Sequence, residues 1–178
     1  MRVRSLIVVE VLAAGLICRA ATRAHAQPQG RVAVEFVTGH AGYVDEVWDN
    51  RATAGALVRV SLTPRLAIGP EVIAQRGAND DHEWLVTGTA TYDLVDATYP
   101  GRRVVPFIVV GAGLARRSSL VGQGPGTVGL VPYVTHEFTT SGGVGVRMAI
   151  TRQFFLSGDA RLGWEPERRV TISVGWRP

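Results

Sequence analysis

Three carboxylates and three arginines recur through the chain with small or hydroxyl-bearing neighbours at alternate positions: Glu35, Glu71 and Asp159, and Arg59, Arg147 and Arg161. Carboxylates gathered in a dry site could act as general acid and base. Equal numbers of opposite charges could instead neutralise one another as a buried network of ion pairs. The second chemistry is the one expected here, because each charge is matched by one of opposite sign. Nucleophilic chemistry would need a serine beside a histidine base, and His136-Glu137-Phe138-Thr139-Thr140-Ser141 is the one stretch that brings the types together. In a strand, His136 and Thr140 share a face while Ser141 turns to the other. His82 lies among Asp80, Asp81 and Glu83, and His40 is the remaining histidine beyond the N-terminal segment. All three histidines fall in or beside expected loops, where imidazoles are ordinarily solvated. No catalytic residue, metal site or cofactor is expected. Gly124-Pro125-Gly126-Thr127-Val128-Gly129 matches a dinucleotide-binding pattern, yet no helix follows to receive a phosphate.

The elements that must position these groups are strands. Eight segments alternate with period two and no helical periodicity separates them: 31–39, 51–62, 66–76, 82–93, 104–116, 136–150, 154–164 and 168–176. Most have about the nine to eleven residues of a tilted strand that crosses a bilayer. Thr63-Pro64-Arg65 and Thr151-Arg152-Gln153 read as tight turns, and 40–50, 77–81 and 117–135 as longer loops. The connections Leu94 to Arg103 and Glu165 to Glu167 fit that alternation less well. Val121, Leu130, Val131 and Tyr133, around the glycine-rich stretch, read as a surface loop suited to contact a partner.

One face of these strands carries Val, Ile, Leu, Ala and aromatic residues without a charge; the other carries all six charges among threonines, serines and glycines. Two architectures share such a pattern. A soluble lipocalin-like carrier would turn the apolar face inward, and a membrane barrel would turn it to lipid. Glycines at 55, 69, 111, 113, 143, 145, 163 and 175 on the charged face would make room for long side chains in a narrow lumen. The charges balance three to three, as a buried network must. Beyond the N-terminal segment there is no lysine, the usual surface charge. Trp84 and Tyr92 mark the two ends of one strand, Phe154 and Trp164 those of another, and Trp176 ends the last. At about 3.3 Å per residue and a tilt near 40°, the spans give roughly 20–25 Å, the height of an apolar band between aromatic girdles. The expected fold is therefore an all-β, eight-stranded antiparallel up-and-down transmembrane β-barrel. A one-residue slip in a strand bearing arginine would cost about 2–4 kcal/mol near the midplane. With no water at that depth, the first strand must pair with the eighth. Pro70 removes a donor from the third strand and predicts a bulge or kink there, whereas Pro106 lies near a strand start.

Composition sets the outer limits. The chain has 178 residues, 46% hydrophobic and 19% charged, with mean hydropathy +0.14, too polar for a helical membrane protein and too apolar for a disordered one. Arg2 and Arg4 precede an apolar run from Ser5 to Cys18, and Ala24-His25-Ala26 closes the segment, which reads as a secretory signal over residues 1–26 ahead of a barrel domain over 27–178. Its removal would leave fifteen arginines against fourteen carboxylates, so the pI of about 10.0 does not point to nucleic acid. Basic pairs such as Arg102-Arg103 and Arg168-Arg169 remain, and both of these read as loop or interface charges. Cys18 would be lost too, leaving no disulfide or thiolate chemistry.

Three segments, Leu62 to Glu71, Pro106 to Gly113 and Gly142 to Arg147, resemble turn-and-strand pieces of the small outer-membrane β-barrel family that includes OmpA-like and OmpX-like proteins. The resemblance covers about residues 30 to 176. It implies an outer-membrane location, contact with membrane lipids and lipopolysaccharide, a role in envelope structure or surface interaction, and a monomer that binds no nucleic acid. Val170-Thr171-Ile172-Ser173-Val174-Gly175-Trp176 is similar to the family's C-terminal signal for the β-barrel assembly machinery, here followed by Arg177-Pro178. Some members modify lipid A, but their His-X-Ser spacing is not that of His136 and Ser141.

Overall fold

The computed structural model describes residues 32–43, 51–77, 82–96, 103–122, 130–164 and 167–178. The expected secretory segment and the Gly124–Gly129 pattern lie outside them. Eight strands follow in chain order: β1 Val32–Tyr43, β2 Arg51–Ser61, β3 Leu66–Arg76, β4 His82–Asp93, β5 Val104–Gly122, β6 Leu130–Ala149, β7 Phe154–Gly163 and β8 Glu167–Trp176. Each pairs antiparallel with its sequence neighbour, and β1 closes on β8 from Val34↔Trp176 to Tyr43↔Glu167. This is the closed up-and-down barrel that the alternation requires, and it leaves no lateral edge at membrane depth.

Loop lengths keep one phase around the barrel. On every strand the lumen-facing residues are odd-numbered, as with buried Glu35, Arg59, Glu71, Thr89, Phe107, Arg147, Asp159 and Ser173. The even-numbered positions hold the exposed apolar side chains, among them Val86, Val110, Val144 and Ile172. Two turns at the end that carries the C-terminus are built alike. Thr63 Oγ1 accepts from the Leu66 amide at 2.9 Å, and Thr151 Oγ1 accepts from the Phe154 amide at 2.9 Å. A threonine hydroxyl thus supplies the acceptor that a short turn lacks.

The largest departure from the sequence reading is the β5–β6 hairpin. Its pairing runs without a break from Val104↔Met148 to Gly122↔Leu130, so most of the expected 117–135 loop is strand. β4 pairs with β5 only as far as His82↔Ser118, and β7 with β6 only as far as Ser141↔Gly163. Beyond those rungs the hairpin stands above the barrel rim. Outside the bilayer neither face has to be apolar, so the alternation that revealed the other strands fades there.

Pro70 gives no inserted residue. The β2–β3 ladder breaks after Leu57↔Glu71 and resumes at Val60↔Ile68 in the same register. Even-numbered β3 residues bond toward β2, as the Leu62 amide donating to the Leu66 carbonyl shows, so the missing Pro70 donor costs local rungs rather than a frameshift. Pro106 keeps its acceptor role, taking the Leu94 amide at 2.9 Å.

Several of the glycines serve a different purpose from the one expected. At Gly143 a Cβ would overlap the Ala160 carbonyl of β7, and Gly55, Gly69 and Gly113 meet neighbouring carbonyls in the same way. Strands in so narrow a cylinder bend until the next backbone occupies the side-chain position. Gly142, one residue away and facing outward, has nothing within 4 Å of its Cβ position. Gly142→Ala should therefore fold as the parent does, while Gly143→Ala should lose most of the compact, heat-modifiable band on gels of detergent-refolded protein. Equal folding of the two variants would contradict the close approach.

Candidate functional site

The lumen is where the chain concentrates its chemistry. Among the described residues ten charged side chains are buried there, five acids (Glu35, Glu71, Glu83, Asp93, Asp159) and five arginines (Arg51, Arg59, Arg147, Arg161, Arg169). The six expected network residues all lie in this set. Arg51, Glu83, Asp93 and Arg169 were not assigned to the network by sequence, because each sits near a strand end beside a loop.

The charges form layers along the axis. Nearest the C-terminal end, Arg147 of β6 donates to Asp93 of β4 at 3.1 and 3.2 Å. Its guanidinium also lies 5.1 Å from the Phe107 ring centroid and 5.6 Å from that of Phe155, which gives its remaining charge a π surface to face. Arg177 covers the outer side of Phe155 at 4.7 Å. Partial burial lowers its pKa from the ordinary value, an effect opposed by the Asp93 and Glu35 carboxylates, and the guanidinium stays charged. Gly145 and Gly175 leave the space that the Phe107 and Phe155 rings occupy.

In the next layer Glu35 of β1 is ion-paired with Arg59 of β2. Its Oε2 accepts from Ser157 of β7 at 3.1 Å and Ser173 of β8 at 2.8 Å. Above it Glu71 of β3 takes Thr87 of β4 at 3.2 Å, Arg161 of β7 at 2.8 Å and Arg169 of β8 at 3.1 Å. Arg161 also binds Asp159 at 2.7 Å. At the upper mouth Arg51 meets Glu83 at 2.7 Å, and Gln75 donates to Glu167 at 2.7 Å. The Glu71 bonds cross the cylinder, so they fix its cross-section as well as its charge.

Apolar groups share the lumen, a feature missing from the sequence reading. Val37, Leu57, Ile73, Leu85 and Ala115 form a buried cluster on its β1–β5 side. Between it and the ion pairs little space is left: a recess lined by Thr87, Thr139, Ser141, Arg161 and Arg169 has a volume of about 10 Å3, room for at most one water.

The other candidate groups do not assemble. His40, His82 and His136 are exposed on even positions, whereas Ser141 is odd-numbered and lines the lumen recess. Histidine and serine are thus separated by the barrel wall. Among the described residues no three metal-ligating side chains gather; Asp80 and Asp81 lie outside them. The pair Arg168-Arg169 is split by the wall, Arg169 reaching Glu71 inside and Arg168 facing out. This corrects its reading as a single loop or interface charge. The girdle residues Trp84, Tyr92, Phe154, Trp164 and Trp176 all face outward, Trp164 most fully at 82% exposure. Tyr92, Phe154 and Trp176 stand toward the C-terminal end, and Trp84 and Trp164 toward the opposite end.

No family model matches the chain, and no curated protein matches it. Solved structures do. The N-terminal β-barrel domain of OprF from Pseudomonas aeruginosa aligns with a TM-score of 0.59 at 18% identity, covering 83% of this chain and 98% of that one. Neisserial surface protein A aligns with a TM-score of 0.63 at 12% identity, covering 83% and 96%. By its fold the chain is a small closed eight-stranded antiparallel β-barrel, similar to those of outer-membrane proteins. Identity this low carries the architecture and leaves activity open.

For this barrel the paired lumen has a measurable cost of disruption. Glu71→Gln should lower stability by about 3 kcal/mol or more, because Arg161 and Arg169 would share too little negative charge in a buried site. Urea unfolding in lipid vesicles reads the loss. A double-mutant cycle of Glu71→Gln with Arg169→Gln should give a coupling above about 1 kcal/mol; additivity would show that the two side chains do not interact.

Proposed function

We propose that the chain is an integral protein of a bacterial outer membrane, exported by a leader over residues 1–26 that is then removed, with residues 27–178 forming the barrel. Its role on this reading is envelope structure and surface interaction, carried by the end opposite the C-terminus. One observation supports it above the rest. The solvent rule of soluble proteins is inverted, with ten charges buried and paired inside while residues such as Leu114, Val144, Leu162 and Ile172 are exposed outside. A soluble carrier would bury those side chains around its ligand. The termini then lie in the periplasm, β8 serves the assembly machinery, and the barrel is a monomer touching lipid and lipopolysaccharide along its wall.

Surface interaction is supported by the projecting hairpin. The Thr140 carbonyl accepts from the Trp164 amide, and the Ala149 amide donates to the Arg103 carbonyl. Even-numbered β6 residues therefore bond toward β7 and odd-numbered ones toward β5. Above Thr140 no described strand continues β7, so Val134, His136 and Phe138 direct backbone groups at an edge without a described partner. Such an edge can take an added strand from another protein. Pro132, on the same even phase, places its missing donor at that edge, where no described rung is lost.

The decisive test is fractionation combined with heat-modifiable gel mobility, for which the expected result is an outer-membrane protein whose folded band shifts on boiling. Recovery in the soluble fraction would overturn the reading. In planar bilayers the filled lumen should give no conductance of porin size. Overexpression should leave the mass spectrum of lipid A unchanged; loss or gain of an acyl chain that disappears in His136→Ala would favour a lipid-modifying enzyme.

A further inference from the structure

Every carboxylate on a described strand has an odd number and so faces the lumen side. The even-numbered, outward phase of the described strands carries six arginines and histidines, His40, Arg76, His82, Arg116, His136 and Arg168, and no acid. All six lie at the end of the barrel opposite the C-terminus, above the apolar wall. They come from six different strands. At the other end the outward strand residues are Val32, Leu66, Tyr92, Val104, Phe154 and Trp176, with no charge among them.

Four of the six form a continuous arc through direct strand partners. Arg76 is paired with His82, and Arg116 with His136, while His82 faces Ser118, two residues beyond Arg116 on the same strand. Trp84 is paired with Arg116 and is half exposed. A tryptophan on the wall marks the membrane–water boundary, so the arc stands at the height of lipid headgroups, and the long arginine stem can lift its charge further out. Below Arg116, four residues or about 13 Å down the strand, Ala112 joins Gly88 and Ala90 in a shallow lipid-facing groove. Among the described residues the side chains of Arg116 and Arg168 have no ion-pair or hydrogen-bond partner, in contrast to the buried lumen arginines. Two arginines held at the interface, of one sign and with no described acid on the outward face beside them, are complementary to an anion.

We infer that this outward rim is a binding ring for the phosphate groups of outer-leaflet lipid, with Arg116 and Arg168 as its principal contacts and acyl chains lying over the Gly88–Ala112 groove. The inference rests on the membrane reading above and makes it more specific: the lipid touching this wall is selected by its phosphates. Guanidinium binds phosphate oxygens through paired N–H donors, and the low dielectric of the interface strengthens the attraction relative to water.

The test uses the barrel purified from membranes in detergent, with lipid A bearing two phosphates and dephosphorylated lipid A of the same acyl pattern as probes, and native mass spectrometry to count the lipid retained. Wild-type protein should retain the phosphorylated form about tenfold better or more, and Arg116→Gln with Arg168→Gln should abolish the preference. Arg65→Gln with Arg152→Gln, at the opposite turns, should keep it. Equal retention of the two lipids by wild-type protein, or an unchanged preference in the Arg116 and Arg168 variant, overturns the inference while the barrel stays in the membrane. Displacement of lipid A by millimolar inorganic phosphate, or by a soluble sulfated polysaccharide, would assign the ring to a free anion or a soluble polyanion and overturn it as well. Failure of the protein to enter membranes at all is the separate outcome that removes the reading beneath it.

Discussion

Every backbone amide and carbonyl at membrane depth needs a partner within the protein, and the closure of β1 on β8 is how this chain meets that demand. The rest follows from it. A cylinder closed by eight strands is too narrow for a water-filled channel, so its interior must be filled by side chains. Closure also fixes the phase of every strand, since each must enter the ring with its apolar side to lipid. A slip by one residue anywhere would place a guanidinium or carboxylate in hydrocarbon and a valine against the ion pairs.

The filling is electrostatically neutral for a physical reason. An unpaired charge in such an interior is costly, and a matched set is tolerable only if each member finds partners. Among the described residues five acids and five arginines are buried. Hydroxyls of Thr87, Ser157 and Ser173 supply further hydrogen bonds to the carboxylates. Where hydrogen-bonding groups run out, near the C-terminal end, the faces of Phe107 and Phe155 take over beneath Arg147. The lumen thus changes along its length from aromatic and cationic to mostly ionic. The wall changes too, from apolar with aromatic borders to cationic at the far rim. These two gradients give the barrel a polarity that matches a membrane whose two sides differ.

Much of this was legible in the residues. Lipid on one side and buried charge on the other impose a strict period of two, and the strands β2, β3, β4, β7 and β8 could be placed to within a residue. The six network charges were readable because each interrupts a run of small residues on a single phase. The upper half of the β5–β6 hairpin was not readable, since above the membrane Arg116-Arg117-Ser118-Ser119 and Pro132 look the same in a strand as in a loop. Glycine was misread in purpose: a glycine that admits a neighbouring backbone and one that admits a ring have the same letter. The splitting of Arg168 from Arg169 also depends on the pleat, which turns adjacent residues to opposite faces.

The sequence by itself determined the fold class and the side of the wall on which each residue of the bilayer-crossing strand segments lies, because hydrocarbon on the outside punishes any charge placed there. Tertiary structure alone decided which charges meet. Glu71 could not be assigned to Arg161 and Arg169, about a hundred residues away, until the ring closed. Nor could six separated basic residues be seen as one rim, because strand register and shear, rather than chain distance, set their heights on the cylinder.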